Sequence, residues 1–371
     1  MADILTAIGL MSGTSMDGID VALVETDGER TLRFGPTMAV LYPAAFKAQI
    51  ERGLADAKAI KRRADRPGEL AALERSITDF HAQAVDQFLT ENDLPTHSID
   101  LLGFHGQTVL HRPHEGVTVQ LGEGQTLADA TGVTTVYDMR AADMVAGGQG
   151  APLIPVFHRA LASGLKDGGP VCFVNIGGIS NITYVDGETL IAFDTGPGNA
   201  LIDQWVAQEA GIPFDAGGTI ASEGRVVASI VERYMAAPFF QTTGPKSLDR
   251  NDFPPLQSGA AELADGARSL ARLTAEAIAG SIEYLPKPPK RWIVSGGGRL
   301  NASIMGDLTE TLADAVVETA EAAGFDGDMM EAQAFAYLAV RAKKGLPLTL
   351  PTTTGCREAV TGGVIARIKA S

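Results

Sequence analysis

The chain has 371 residues, 45% of them hydrophobic, and a formal net charge of −15. This acidic balance argues against nucleic acid and an anionic membrane surface as partners, because both attract proteins rich in Lys and Arg. No apolar run reaches the roughly 18 residues of a transmembrane helix, and the N-terminus lacks the basic start and apolar core of a signal peptide. We therefore expect a cytoplasmic protein of two or three domains, with Cys172 and Cys356 as buried free thiols.

The first predicted element is a hairpin whose turn is long and rich in glycine and hydroxyl residues. Residues 9–20 read Gly-Leu-Met-Ser-Gly-Thr-Ser-Met-Asp-Gly-Ile-Asp, between two apolar strands. Gly13 and Gly18 allow backbone N–H groups to approach an anion, and Thr14 and Ser15 add hydroxyl donors. An ordinary tight hairpin is the alternative, but the run of small polar residues is long, which favours phosphate binding.

Two carboxylates in the same hairpin indicate the kind of phosphate ligand. Asp17 and Asp20 would repel a bare anion. They fit a ligand that arrives with a divalent cation, as a nucleotide triphosphate does with Mg²⁺. The hairpin therefore predicts a site for ATP and magnesium.

Strand and helix patterns alternate along the rest of the chain, which is typical of an α/β protein. Three glycines and two prolines within 146–155 predict a hinge between domains at 1–146 and 147–356. Strands are predicted at 99–104, 117–121, 133–137, 171–176, 182–186, 190–193 and 292–295. Helices are predicted at 69–90, 199–210, 220–236, 262–284, 301–314, 331–344 and 357–369, the last of them packing back, as part of 357–371, on the first domain.

A second hairpin, over residues 171–185, repeats the form of residues 8–24. It again reads strand, polar glycine-rich turn and strand, with Asn175, Gly177 and Gly178 in the turn. One such hairpin in each half of the chain could hold a phosphate chain between two domains.

The third glycine-rich element is Phe193-Asp-Thr-Gly-Pro-Gly-Asn199. Asp194 stands where a strand stops, at the edge where α/β folds place ligands, so it is a candidate general base. Bracing its own turn is the alternative role. Asn199 is a good N-cap for the next helix, whose N-terminus is itself an anion site.

The fourth element, Gly296-Gly-Gly298, links a strand to a helix. Such a turn lets a flat ring or a ribose lie against the backbone, although it also suits plain strand-to-helix packing. The dinucleotide GxGxxG pattern, the Walker pattern GxxxxGK[ST] and the hydrolase elbow GxSxG are not matched.

Further polar residues are candidates for substrate binding and catalysis. His105 lies in a glycine-flanked segment, Gly103-Phe-His-Gly-Gln-Thr108, that suits a substrate-facing loop. Arg140 and Asp143 follow another strand and could hold polar groups of a ligand or form a structural ion pair. Glu331 begins a helix, where it either complements the helix dipole or provides a second carboxylate opposite Asp194. Zinc is not expected, because the neighbouring histidines lack CxxC and HExxH partners.

These motifs together resemble the anhydro-N-acetylmuramic acid kinase family of the actin, sugar-kinase and Hsp70 superfamily. The segment Tyr137-Asp-Met-Arg140 departs mildly from the family pattern, where Asp-Phe-Arg is expected. The resemblance rests on residues 9–20, 104–108, 147–153, 175–183, 194–199, 295–298 and 331–336.

The resemblance implies two duplicated actin-like (ribonuclease H-like) domains with a nucleotide cleft between them. The implied reaction converts ATP, 1,6-anhydro-N-acetylmuramic acid and water into ADP and N-acetylmuramic acid 6-phosphate, in the recycling of bacterial peptidoglycan. A homodimer is left open. The implied ATP contacts are Gly13, Thr14, Ser15, Met16, Asp17, Gly18, Ile19, Asp20, Asn175, Gly177, Gly178, Gly196, Gly296, Gly297 and Gly298. The implied substrate contacts are His105, Gln107, Arg140, Asp143 and Asn199, with Asp194 and Glu331 as catalytic residues and Asp17 and Asp20 near Mg²⁺, directly or through water.

Three other classes stay open from the residues alone. Another kinase of the superfamily could act on a hexose or a carboxylate. A non-kinase ATP-binding clamp would hydrolyse ATP slowly without a small acceptor. A glycosidase with paired carboxylates would need no nucleotide and would leave the glycine-rich turns unexplained.

Overall fold

The computed structural model describes residues 3–13, 16–166, 168–242, 246–248 and 252–368. The chain forms two compact units: unit 1 contains Met1–Gly164 and Met329–Ser371, and unit 2 contains Leu165–Asp328. In this described part, every helix is too short or too polar to cross a bilayer. Cys172 and Cys356 are buried free thiols, as predicted.

Strands and helices alternate through both units. The strands are β1 (Leu5–Ser12), β2 (Gly18–Thr26), β3 (Leu32–Leu41), β4 (Leu101–Arg112), β5 (Val117–Leu121), β6 (Thr135–Tyr137), β7 (Val171–Ile176), β8 (Ile179–Asp186), β9 (Thr189–Pro197), β10 (Arg291–Ser295), β11 (Val316–Thr319) and β12 (Val364–Ala366). The helices are α1 (Ala44–Ala57), α2 (Leu70–Glu91), α3 (Gly124–Thr131), α4 (Ala141–Val145), α5 (Pro155–Ser163), α6 (Ala200–Ala210), α7 (Thr219–Glu223), α8 (Ala228–Met235), α9 (Leu263–Gly280), α10 (Ala302–Thr311), α11 (Met330–Lys343) and α12 (Pro351–Thr354).

The two sheets share one core arrangement of strands. In unit 1 the order is β12-β6-β4-β1-β2-β3, with β5 added to β4. In unit 2 it is β11-β10-β7-β8-β9. Each sheet has a three-stranded antiparallel meander, β1–β3 in unit 1 and β7–β9 in unit 2. On its other side, the first strand of each meander pairs with a parallel strand, β4 or β10, which pairs in turn with a second parallel strand, β6 or β11. The predicted α/β class and the duplication of two alike halves are confirmed, and the two predicted hairpins occupy equivalent places.

Helix α11 packs directly on the sheet of unit 1 because two glycines lie beneath it. A Cβ on Gly9 of β1 would stand 1.8 Å from the Ala332 carbonyl oxygen, and one on Gly103 of β4 would stand 2.0 Å from that of Phe335. Residues adjacent to Gly9, Ile8 and Leu10, face the opposite side and join the buried cluster that includes α2. This alternation is the two-residue period of a strand buried on both faces.

The core of unit 2 is built from two tryptophans and the apolar face of α9. Trp205 and Trp292 are each 1% exposed. The indole of Trp205 donates to the carbonyl of Leu263 at 2.8 Å and covers Gly266, where no Cβ would fit. This packing fixes α6 and α9 against β7–β9, the strands that carry two of the glycine-rich turns predicted for unit 2.

Two predicted helices are wrong. The helix predicted over 220–236 is broken into α7 and α8 at Gly224, whose backbone approaches Ala264 so closely that a Cβ would lie 2.1 Å from its oxygen. The helix predicted over 357–371 is replaced within the described residues by β12, which pairs antiparallel with β6. Gly362 and Gly363 disfavour a helix there, and β-branched Val364 and Ile365 favour a strand.

The division into units differs from the predicted boundary at 146/147. Residues 146–150 lie inside unit 1, tied by the N–H of Gln149 to the Thr354 carbonyl and by the N–H of Arg357 to the Ala146 carbonyl, at 2.9 and 3.1 Å. Residues from Met329 onward return to unit 1, because α11 packs on β1, β2 and β4.

Candidate active site

The turn of the first hairpin is tied to the middle of β4. The Ser12 hydroxyl donates to the Gly106 carbonyl at 2.9 Å, and the Gln107 amide donates to the Gly13 carbonyl at 3.1 Å. The side-chain oxygen of Gln107, Oε1, is buried and has no hydrogen-bond partner among the residues described. Met16 has a φ of +57° and donates to Gly13, which closes the turn. Thr14 and Ser15 lie outside the described residues.

The remaining residues of the first hairpin differ in how accessible they are to solvent. Asp17 is exposed and pairs with the Lys47 ammonium group at 2.7 Å. Asp20 lies on β2 opposite Met11. Gly18 packs so close to β3 that a Cβ would meet the Val40 oxygen at 2.3 Å. Ile19 is fully buried, backbone included, so it presents no accessible surface to a ligand.

His105 and Arg140 form a polar pair: His105 lies within β4 and not in the predicted loop, and Arg140 follows β6. The guanidinium Nη2 lies 3.1 Å from Nε2 of His105, while Nη1 donates to the Gly150 carbonyl at 2.8 Å. Burial, and then the charge of Arg140, lower the pKa of His105 to about 3. Because Arg only donates, the neutral ring accepts at Nε2 and carries its proton on Nδ1. Its edge packs on Phe335 of α11, with centroids 4.8 Å apart.

Glu331 lies in the first turn of α11 and interacts electrostatically with Arg140. Burial raises the pKa of the Glu331 carboxyl, and the Arg140 cation opposes that rise. The structure thus brings Glu331, Arg140 and His105 into one group, from three elements separated in sequence.

Asp143 braces the loop that follows α4. Its Oδ1 accepts from the hydroxyls of Thr349 and Thr354, both at 2.6 Å, and its Oδ2 accepts from the Gly150 N–H at 2.7 Å. The carboxylate is 1% exposed. These bonds hold the loop whose Gly150 carbonyl accepts a hydrogen bond from Arg140. Asp143 therefore positions Arg140 indirectly, through the loop.

A polar cavity of about 380 Å³ in unit 1 opens beside His105. Arg66 pairs with Glu74 at 2.7 Å, and Arg63 pairs with Asp138, whose φ is +55°. Other lining residues are Phe104, His105, Gly106, Gln120, Leu121, Gly122, Glu123, Gly124, Gln125, Thr126 and Tyr137. No sequence motif marks the charged members, because they come from a loop, a helix and strand ends that are far apart in the chain.

In unit 2, Asp194 lies on β9 at a bulge. Asn181 pairs with Asp194 and Ser180 pairs with Gly196, so Thr195 is the extra residue of β9. The Leu248 N–H donates to Oδ2 of Asp194 at 2.8 Å. Burial raises the pKa of Asp194 to about 7, and the Leu248 bond opposes that rise. A partly accessible carboxylate that titrates near neutrality is suited to proton transfer.

The other glycine-rich turns of unit 2 form one cluster. A Cβ on Gly296 would lie 2.4 Å from Oδ1 of Asn175, and Gly198 donates to the Gly178 carbonyl at 2.9 Å. Asn199 precedes α6 but its side chain does not cap it. Instead its amide donates to the Ile176 carbonyl at 3.2 Å, so the predicted capping bond is wrong. The cluster comprises Asn175, Gly177, Gly178, Asn199, Gly296, Gly297 and Gly298; the Asn199 N–H donates to the Gly177 carbonyl at 2.8 Å, and a Cβ on Gly297 would lie 3.6 Å from the side-chain nitrogen of Asn199. Gly196 lies apart on β9, where a Cβ would stand 2.9 Å from the Cβ of Ala277.

Comparison with known proteins gives a full-length match. A family model described as "Anhydro-N-acetylmuramic acid kinase" matches residues 5–367. A protein of that name from Agrobacterium fabrum is 55% identical over 372 residues, covering 99% of this chain and 100% of the relative. Another from Rhizobium etli is 53% identical over 363 residues, covering 97% and 98%.

Solved structures also resemble the chain, at lower similarity. The activator of the 2-hydroxyisocaproyl-CoA dehydratase from Clostridium difficile, with bound ADPNP, gives a TM-score of 0.46 at 8% identity, over 92% of this chain and 96% of that one. A ROK family glucokinase from Streptomyces griseus, in complex with glucose and AMPPNP, gives 0.44 at 14% identity, over 91% and 99%.

Proposed function

Because the chain belongs to the anhydro-N-acetylmuramic acid kinase family, we propose that it opens 1,6-anhydro-N-acetylmuramic acid with water and phosphorylates O6 with ATP. The products are N-acetylmuramic acid 6-phosphate and ADP. The enzyme is thus a phosphotransferase with an alcohol group as acceptor. We place it in the cytoplasm, in the recycling of peptidoglycan sugars.

Asp194 carries the proposed mechanism as general base. Its carboxyl is desolvated yet partly accessible, and burial brings its pKa to about 7. A water proton passes to Asp194 as the water oxygen bonds to the anomeric carbon. The C1–O6 bond breaks, and O6 bonds to the γ-phosphorus as ADP leaves. A positioned base of this kind contributes about 10²–10⁴ in rate.

The glycine-rich turns are the proposed nucleotide contacts, considered unit by unit. In unit 1, the turn around Gly13, which Ser12 and Gln107 tie to β4, binds phosphate through backbone N–H groups. In unit 2, the cluster that contains Gly177, Gly178 and Gly297 has accessible backbone without side chains, and a ribose or base can pack on it. Phosphoryl transfer depends mainly on such positioning and on charge neutralisation.

Asp17 and Asp20 fit the modest protein ligation that Mg²⁺ uses with nucleotides. The described residues contain no group of three or more His, Cys, Asp or Glu able to hold a metal by themselves. Mg²⁺ is commonly bound by one or two carboxylates together with substrate phosphates and water. Asp17 and Asp20 can supply the carboxylates. When bound, Mg²⁺ neutralises charge on the phosphates. The Lys47 ammonium would have to release or share Asp17.

His105, Gln107, Arg140 and Glu331 are the proposed acceptor side of the site. Gln107 has a buried oxygen with no hydrogen-bond partner in the described structure, which suits a hydroxyl or amide N–H of an amino sugar. The polar cavity beside His105 has the size of a small-ligand pocket. The pKa of Glu331, raised by burial, suits a second acid–base group. Asp143 supports this side through its loop, and Asn199 is proposed to meet the acceptor in unit 2.

Incubation with Mg-ATP and the anhydro sugar in ¹⁸O-labelled water tests the proposal. We expect a product that gains one phosphoryl group and one water, with the label on the anomeric carbon. A phosphorylated hexose without label would indicate another kinase of the superfamily, and ATP hydrolysis without a sugar product would indicate a clamp. Opening of the sugar without nucleotide would indicate a glycosidase.

Replacement of Asp194 by Asn tests the assigned base. Turnover should be abolished, while nucleotide binding measured by calorimetry should match that of the unchanged protein, because no nucleotide contact is assigned to this carboxylate. The Asp186→Asn variant, which alters a partly buried carboxylate paired with the exposed Lys287, is the matched control. Wild-type turnover by the Asp194 variant would remove Asp194 from the role.

A further inference from the structure

We propose that Lys246 is a positioning residue for Asp194, acting through the backbone of residues 246–248. Its ammonium group, enclosed by aromatic rings and carbonyl oxygens, fixes this segment against the edge of the sheet in unit 2. The segment in turn holds the Asp194 carboxylate at two points. This inference rests on the proposed base role of Asp194.

Lys246 is unusually buried for a lysine. It is 8% exposed, and its Nζ lies 4.4 Å from the ring centre of Phe239 and 4.5 Å from that of Tyr284. Phe193 adds a third ring at 5.8 Å. Nζ donates to the carbonyls of Phe239 and Thr242, at 3.2 and 3.1 Å. Cation–π contacts and these two bonds offset the cost of removing an ammonium group from water.

No carboxylate among the described residues pairs with Lys246. The ammonium group therefore does not form an ordinary salt bridge within that part of the chain. Its described partners are all aromatic rings and backbone oxygens of unit 2. These contacts hold the segment 246–248 in place. A cavity of about 140 Å³ lies beside it, lined also by Thr195, the bulge residue next to Asp194.

The anchored segment clamps Asp194 from both ends. The Asp194 N–H donates to the Lys246 carbonyl at 2.9 Å, and the Leu248 N–H donates to Oδ2 of Asp194 at 2.8 Å. Because β9 is an edge strand, its outward N–H would otherwise have no partner in the sheet. The segment 246–248 thus accepts a hydrogen bond from the backbone N–H of Asp194 and orients the side chain of Asp194 with a second bond.

The other elements packed on Asp194 present few charges. Asn181 is its neighbour on β8. Helix α9 presents Thr274 and Ala277 toward β9, while Arg272 and Glu276 on α9 pair with each other at 2.8 Å. Tyr284 contributes its ring to the cage. Apart from burial, the one described influence on the pKa of Asp194 is the Leu248 N–H, which favours the ionised form.

The Lys246→Met variant tests the proposal through the pH dependence of turnover. Without the anchor the Leu248 bond weakens, the ionised carboxylate loses a donor, and the pKa of the base rises. We expect the acid limb of the kcat–pH profile to move up by about 0.5–1 unit, which lowers kcat near pH 7 by about 2- to 5-fold because the unchanged base is only half ionised there. Turnover should recover at higher pH, and the KM for ATP should stay unchanged.

Three comparisons make the test specific. Lys246→Arg keeps a cation for the rings and carbonyls and should restore most of the profile. Lys287→Met removes an exposed lysine of the same unit, paired with Asp186, and should leave the profile unchanged. Phe239→Leu removes one ring from the cage and should produce a smaller shift in the same direction, which keeps the test open if Lys246→Met does not fold.

Direct titration of Asp194 separates this inference from the proposed function. ¹³C NMR of aspartate-labelled protein, with the Asp194 resonance assigned from Asp194→Asn, should show its pKa higher in Lys246→Met. An unchanged pKa and profile in a folded variant would overturn the positioning role, even with Asp194 as the base. A raised pKa together with full activity of Asp194→Asn would keep the clamp and reject the proposed base.

Discussion

The Asp194→Asn substitution should stabilise the protein while it removes activity, and the gain should depend on pH. Burial raises the pKa of Asp194 from an ordinary value of about 3.9 to about 7. The folded state thus binds this proton more tightly than the unfolded state does. Below the pKa of the unfolded state, the carboxyl is neutral in both states and does not lower the free energy of unfolding. As pH rises through 4 to 7, ionisation of the unfolded chain progressively destabilises the fold.

The size of the effect follows from the shift. About three pKa units at 1.36 kcal/mol each give an upper limit of about 4 kcal/mol above pH 7. Asp194 remains partly accessible to water, so we expect about 2 kcal/mol. In a unit of this size, 1 kcal/mol corresponds to about 2–4 °C, so the melting temperature of Asp194→Asn should exceed that of the unchanged protein by about 4–8 °C at pH 8.

Calorimetric melting without nucleotide, at pH 5 and pH 8, measures this difference. The stabilisation by Asp194→Asn should be clearly larger at pH 8, because only there is the carboxyl fully ionised in the folded protein. Asp186→Asn, which removes a partly buried carboxylate paired with Lys287, should show no such increase in stabilisation between pH 5 and pH 8. An equal or smaller gain at pH 8 than at pH 5 would refute the argument that Asp194 is desolvated in the free enzyme.

Three further predictions concern the site and its scaffold. Turnover of the unchanged enzyme should rise with pH through an apparent pKa near that of Asp194, about 7, because the ionised form is the base; a flat kcat profile from pH 5 to 9 would contradict this. Gly9→Ala should cost about 3 kcal/mol in urea unfolding, since its Cβ would lie 1.8 Å from a backbone oxygen of α11, whereas Gly306→Ala, with nothing within 4 Å, should be neutral or stabilising. Asp143→Ala should cost about 3 kcal/mol, because it strands three buried donors, and should raise the KM for the sugar more than that for ATP.

Local patterns determined much of the architecture and the candidate motifs. Apolar periodicity predicted α2, local helix patterns predicted α9 and α11, and alternating strands and helices predicted the α/β class. The two hairpins were visible because a glycine-rich polar turn between apolar strands is a local signal. Asp194 could be singled out for the same reason, since it ends an apolar run within such a turn.

The tertiary structure decided what depends on residues far apart in the chain. β12 forms because β6 offers a free edge, and residues 329–368 return to unit 1 because α11 packs on Gly9 and Gly103. The lowered pKa of His105 needs burial beside Arg140, and the hold on Asp194 needs a lysine 52 positions away, whose ammonium group finds its partners through folding. The spacing of residues in the sequence determines which backbone conformation is favoured and which side chains share one face of a helix or strand. The burial and the protonation state of a side chain depend on neighbours that only the folded chain brings together.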